Sequence, residues 1–166
     1  MIHTITETEI PECVQVIRSS FQTVADTFGF TEENAPRFTA FATTEQRLTW
    51  QLKAEHRPMY AYYEEDKIVG YYSLAFLENG ECELNNLCVL PECRHQGIGE
   101  KLLEHAFEVA LGLGCEKMKI GIVEENKQLR KWYEEYGFVH LGTQKFDFFP
   151  FTCGYMERML RNILRN

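Results

Sequence analysis

The sequence predicts an α/β fold of the mixed α+β kind: a central twisted sheet of about seven strands, mostly antiparallel, with helices on both faces. Three observations predict it. Apolar residues recur at helical spacing in four segments and alternate with polar residues, or run unbroken, in seven others. Short turns join several of the strand segments as hairpins, which makes those neighbours antiparallel. A glycine-bearing turn, Arg94 to Gly99, separates a strand from a helix that leads into another strand, so that unit is a parallel, right-handed crossover.

The elements follow in order. Ile2 to Thr6 alternates and reads as the first strand. Thr8 is placed to cap a helix with Ile10, Val14, Ile17, Phe21, Val24, Ala25 and Phe28 on its apolar face, closed by Gly29. Thr31 to Ala42, with Asn34-Ala35-Pro36, reads as a loop. A second helix starts near Thr43, with Gln46 completing a capping box, and Pro58 ends it. Met59 to Glu64 and Ile68 to Leu77 flank the turn Glu65-Asp66-Lys67, and Asn79-Gly80 leads into a strand over Cys82–Leu90. After the Arg94–Gly99 turn, Ile98, Leu102, Leu103, Ala106, Ala110 and Leu113 mark a helix that ends at Gly112 to Gly114. Lys117 to Ile122 alternates as a strand. Asn126 to Tyr136 is a helix closed by Gly137, and Phe138–Lys145 and Thr152–Leu160 are the last two strands around Pro150.

Composition narrows the function. At 166 residues, residues 1–166 are expected to form a single domain with a substantial core. Seventeen basic against twenty-five acidic residues give a net charge of −8, which argues against nucleic acid as a partner. No apolar run approaches the roughly eighteen residues of a membrane span, and Met1-Ile2-His3-Thr4 lacks a signal-peptide pattern, so no membrane association and a cytoplasmic location are expected. Six cysteines (13, 82, 88, 93, 115 and 153) form no Cys-x-x-Cys pair, so reduced thiols and no metal are expected.

Arg94-His95-Gln96-Gly97-Ile98-Gly99 carries the chemistry. A helix start leaves backbone N–H groups unpaired at the positive end of the helix dipole. Two glycines admit a bulky anion close to the main chain, and Arg94 adds a planar, charged fork. Gly99 is followed by Glu100-Lys101 rather than Lys-Ser/Thr, so this is no P-loop. Leu102 stands where a dinucleotide loop needs a small residue. A diphosphate site of another kind is expected, against a bare strand-to-helix turn as the alternative.

The Arg-x-x-Gly-x-Gly pattern resembles the coenzyme A diphosphate loop of the GNAT N-acetyltransferase superfamily, and the resemblance runs from Met1 to about Leu160. It is strongest over Glu83 to Phe138. Leu87-Cys88-Val89-Leu90-Pro91-Glu92 looks like the strand whose main chain pairs with the pantetheine arm. Asn126, Tyr133 and Gly137-Phe138 resemble the second cofactor and catalytic motif. The resemblance implies acetyl-CoA as acyl donor and Leu87, Val89, Arg94, Gln96, Gly97, Ile98, Gly99 and Asn126 as its binding residues. It implies Tyr133 as general acid toward the departing thiolate, and an N–H of Leu87 or Val89 as oxyanion donor. Leu129 stands where the family often has Ala, and His95 replaces a small or basic residue.

The implied activity is transfer of an acetyl group to a primary amine of a small molecule or protein by direct attack on the thioester. A non-catalytic acyl-CoA sensor is the alternative, and either a monomer or a homodimer is compatible. Glu83 is the candidate general base. On an unbroken strand it would share a face with Glu81, Asn85, Leu87 and Val89, but Asn85-Asn86 is poor strand material and marks a potential bulge. A solvated edge carboxylate is the other reading of Glu83. Tyr133 is correspondingly either a catalytic hydroxyl or a core aromatic. Phe146, Phe148, Phe149 and Phe151, with Asp147 among them, form either an apolar acceptor pocket with a carboxylate or packing between the end strands.

Overall fold

The computed structural model describes residues 1–160. Strand β1 (Ile2–Thr4) precedes helices α1 (Ile10–Phe28), α2 (Thr39–Ala42) and α3 (Glu45–Lys53). Strands β2 (Met59–Glu64), β3 (Lys67–Phe76) and β4 (Glu81–Val89) follow, then α4 (Ile98–Gly112), β5 (Lys117–Val123), α5 (Lys127–Glu135), β6 (Val139–Lys145) and β7 (Thr152–Met159). The strands form one sheet in the order β1-β2-β3-β4-β5-β7-β6. Every neighbouring pair is antiparallel except β4 and β5. Among the described residues, no helix is long and apolar enough to cross a membrane.

Two helix starts differ from the sequence expectation. A 3-10 turn (Glu7–Glu9) leads into α1, with the Thr6 hydroxyl donating to the Glu9 carboxylate at 2.6 Å, so Thr8 lies inside the turn and caps nothing. The segment expected to be a loop to Ala42 contains α2, because Phe38 and Ala40 bury into a second apolar cluster and wind the chain there. That turn engages the Thr43 hydroxyl on the Thr39 carbonyl at 2.7 Å. Capping of α3 therefore passes to Thr44, whose side chain accepts from the Arg47 N–H, and the box with Gln46 does not form.

Side-chain alternation along β3 shows which helices cover which face. Gly70 and Tyr72 face α4: a Cβ at Gly70 would lie 2.8 Å from Leu102, and the Tyr72 hydroxyl shares a 2.7 Å hydrogen bond with His105. Tyr71 lies on the opposite face, near Cys13 of α1. The main core fills both sides, with Ile17, Leu48, Tyr71, Tyr72, Leu102, Leu103 and Met118 fully buried. Of the six cysteines, all unpaired, five are buried and Cys153 is half-buried.

Two irregularities in β4 position everything that follows. Tyr71 pairs with Cys88 and Ser73 with Asn85, so β4 advances three residues where β3 advances two. The extra residue is a bulge at the place Asn85-Asn86 suggested, and Asn86 takes a left-handed φ of 55°. Glu83 and Asn85 consequently share the α1 face with Cys88, while Val89, paired with Gly70, turns toward α4. The common face of Glu83 and Val89 expected on an unbroken strand is therefore absent. β4 and β5 also pair only over Glu81–Glu83 against Lys117–Lys119, after which β5 follows β7 through to Val123. Beyond Glu83 the two strands part.

Candidate active site

The gap between β4 and β5 opens into a cleft of about 400 Å³. Glu83, Asn85, Leu87, Asn126 and Tyr133 all line it. Alternate main-chain groups of the β4 stretch beyond Glu83 lose their β5 partners and face the gap, ready to pair with an extended ligand.

Tyr133 reaches the cleft from the middle of α5. Its ring packs edge-on against Phe138 (5.3 Å) and Trp132 (5.0 Å), so the core-aromatic reading holds for the ring. The residue is only 6% exposed. Burial, with a smaller push from the nearby Cys88 thiol, raises the hydroxyl well above its ordinary value, so it stays protonated. Among the described residues nothing accepts a hydrogen bond from it, which leaves the proton for a ligand. Asn126 caps α5, its side-chain oxygen accepting from the Leu129 N–H at 3.2 Å, and its amide nitrogen remains available beside the cleft.

Glu83, half-buried on the bulged strand, has its carboxyl raised above the usual range by burial. The positive charges of Arg57 and Lys119 oppose that rise. Asn85 stands between Glu83 and Arg57. Guanidinium can only donate and carboxylate can only accept, so the amide must turn its oxygen to Arg57 and its nitrogen to Glu83. The contacts are then 3.3 Å from Arg57 Nη1 and 2.6 Å to Glu83 Oε1. One carboxylate oxygen is held by Asn85, and the other is left as a proton acceptor. Glu81, by contrast, is engaged by Lys119 at 3.0 Å and Lys117 at 3.7 Å.

The start of α4 presents a second set of polar groups. Gly97 caps the helix with φ 81°, a conformation side chains rarely adopt, and His95 precedes it at φ 63°. The N–H groups of Ile98, Gly99 and Glu100 have no intrahelical acceptor by geometry, and among the described residues they find none elsewhere. The Ile98 side chain is buried, so that residue offers a ligand only its main chain, whereas Gln96 is exposed.

Arg94 holds this turn in place. Its Nε donates to the Val89 carbonyl at 3.1 Å, Nη1 to the Thr23 hydroxyl at 3.1 Å and Nη2 to the Ser20 carbonyl at 2.9 Å. Three of five N–H donors are thus engaged by the protein, tying β4, the glycine turn and α1 together.

Neither Arg57 nor the hydrogen-bonding role of Asn85 is among the sequence expectations, which include Asp147 in an acceptor pocket. Asp147 is exposed and absent from the cleft wall, while Phe149 and Phe151 do line it with Phe21 and Phe38 from the α1 side. No spacing signal marks Arg57, because its partner lies 28 residues away on another element.

Comparison with known proteins agrees with this geometry. Residues 22–138 match the acetyltransferase (GNAT) family. Over 67 residues the chain is 33% identical to thialysine N-epsilon-acetyltransferase of Bos taurus, a match covering 40% of this chain and 39% of that protein. It is 24% identical over 153 residues to an uncharacterized N-acetyltransferase of Lactobacillus delbrueckii subsp. lactis, covering 86% of each. In fold it is similar to the PaiA N-acetyltransferase of Thermoplasma acidophilum in complex with coenzyme A: TM-score 0.81, 17% identity, covering 96% of this chain and 98% of that one. It is also similar to the ribosomal-protein-S18-alanine N-acetyltransferase of Escherichia coli (TM-score 0.73, 17% identity, 96% and 93% covered).

Proposed function

The chain belongs to the acetyltransferase (GNAT) family, whose usual acyl donor is acetyl-CoA, and we propose that residues 1–166 act as one N-acetyltransferase domain that moves the acetyl group to a primary amine by direct attack on the thioester. The observation that carries this reading is the convergence of Glu83 and Tyr133 on one cleft where β4 and β5 part. A sensor would need neither group there.

The unpaired N–H groups at the start of α4, with Gln96 beside them, suit the diphosphate, and Arg94 supports them from behind while adding its charge. The freed main chain of β4 at Leu87 and the N–H of Val89, whose carbonyl Arg94 holds, suit the amide-bearing arm of the coenzyme together with the Asn126 amide. An acceptor amine near pKa ~10.4 is almost wholly protonated at neutral pH, so a base is needed. Glu83 takes that proton on the oxygen Asn85 leaves free. A Leu87 or Val89 N–H stabilises the carbonyl oxygen as it gains charge. Tyr133 donates a hydrogen bond to the sulfur as the carbon–sulfur bond breaks, and the second proton, shed by the acylated nitrogen, ends on the departing thiolate. A phenol at ~10 or above is a weaker acid than a thiol at ~8.5, so full transfer is uphill and the hydrogen bond supplies most of the stabilisation.

Thiol release from acetyl-CoA in the presence of a panel of primary amines tests the reading. The acidic limb of kcat/KM should lie above the ordinary carboxylate range, because Glu83 must lose its proton to act and burial holds that proton on. Arg57→Gln removes a positive charge that favours the carboxylate and should move the limb to higher pH. A limb that stays in place in that variant would remove Glu83 from the role. Bound acetyl-CoA with no transfer to any amine would favour the sensor.

A further inference from the structure

The outer wall of the cleft carries a cation that no carboxylate among the described residues satisfies. Arg37 lines the cleft and is exposed, and its guanidinium lies over the Phe148 ring at 4.2 Å to the centroid. Among the described residues no carboxylate pairs with it, although acidic residues outnumber basic ones in this chain by eight. The arrangement is firmly based. Phe38, the next residue, is buried between Phe30 (5.1 Å) and Phe151 (5.8 Å), and the Lys145 ammonium holds the Phe146–Phe149 turn through the Phe146 carbonyl at 2.8 Å and that of Phe149. A guanidinium held over a ring face still has N–H donors at its edge, which a carboxylate can engage in pairs.

Between Arg37 at the open end and the buried Tyr133 lie apolar walls from Phe21, Phe38, Phe149 and Phe151. Glu83 provides the negative charge near the reacting end. We propose that the acceptor is a primary amine with an apolar body that bears a carboxylate remote from the nitrogen, and that Arg37 binds this carboxylate and sets acceptor selectivity. The proposal rests on the acetyltransferase reading and adds the acceptor class to it.

Two amines that differ only in the remote group provide the test: 4-(2-aminoethyl)benzoate and 2-phenylethylamine. Acetyl-CoA binding to the full chain is measured first by calorimetry, then binding of each amine to the coenzyme-loaded protein, then kcat/KM by thiol release. The expected result is selectivity of about tenfold or more for the benzoate, as a charge-assisted pair supports. Arg37→Gln should bring the ratio close to one, and Arg37→Lys should keep part of it through the retained charge. Equal use of the two amines, no binding of the benzoate, or selectivity that survives in Arg37→Gln would overturn the acceptor assignment while leaving acetyl transfer intact. Absence of acetyl-CoA binding would remove the acetyltransferase reading and the acceptor assignment with it.

Discussion

Tyr133→Phe is expected to lower kcat by about 10²–10³-fold, the range for loss of one positioned hydrogen-bond donor to developing charge. The ring supports the fold through Phe138 and Trp132, and Phe keeps both contacts. Among the described residues the hydroxyl has no hydrogen-bond partner, so its removal strands none of them. Stability and acetyl-CoA affinity should therefore stay near those of the unaltered protein, and steady-state kinetics with denaturant unfolding would separate the effects. Turnover unchanged in Tyr133→Phe on a confirmed acceptor would reduce Tyr133 to a packing residue.

Arg94→Gln should weaken two properties together. Removing the guanidinium releases the Val89 and Ser20 carbonyls and the Thr23 hydroxyl in a half-buried place. Hydrogen bonds from a charged donor contribute about 1.5–3 kcal/mol and are not additive, so a total loss of about 2–3 kcal/mol is expected in urea unfolding. Acetyl-CoA affinity should fall by about tenfold, as the turn loosens and a nearby charge is lost. Weaker binding with unchanged stability would contradict the bracing role and leave Arg94 a plain phosphate ligand.

Arg94 also illustrates which parts of the site could be read from the sequence. The type of residue and its place before two glycines were visible, because the turn and the helix it starts are local. Two of its three partners were not, since Ser20 and Thr23 lie 74 and 71 residues away on α1. The same division holds elsewhere. The order of strands and longer helices follows from periodicity within single segments, whereas α2 is one turn long and forms for burial of Phe38 and Ala40, which no repeat announces. The poor strand residues Asn85-Asn86 pointed to the bulge, yet only the register shows that it separates Glu83 from Val89. Arg57 and Arg37 act through contacts made across elements, so their sequence neighbourhoods carried no sign of either role.

The proposed chemistry depends most on the main-chain amides at the start of α4 receiving the coenzyme's diphosphate. A 15N NMR titration with acetyl-CoA, run beside one with S-acetylpantetheine, measures this directly. Acetyl-CoA should move the Gln96, Gly97, Ile98 and Gly99 amide signals in a saturable way, while the diphosphate-free compound should leave them almost in place and shift those of β4. Amides in the α4 turn that do not respond to acetyl-CoA, or that respond equally to both compounds, would contradict it.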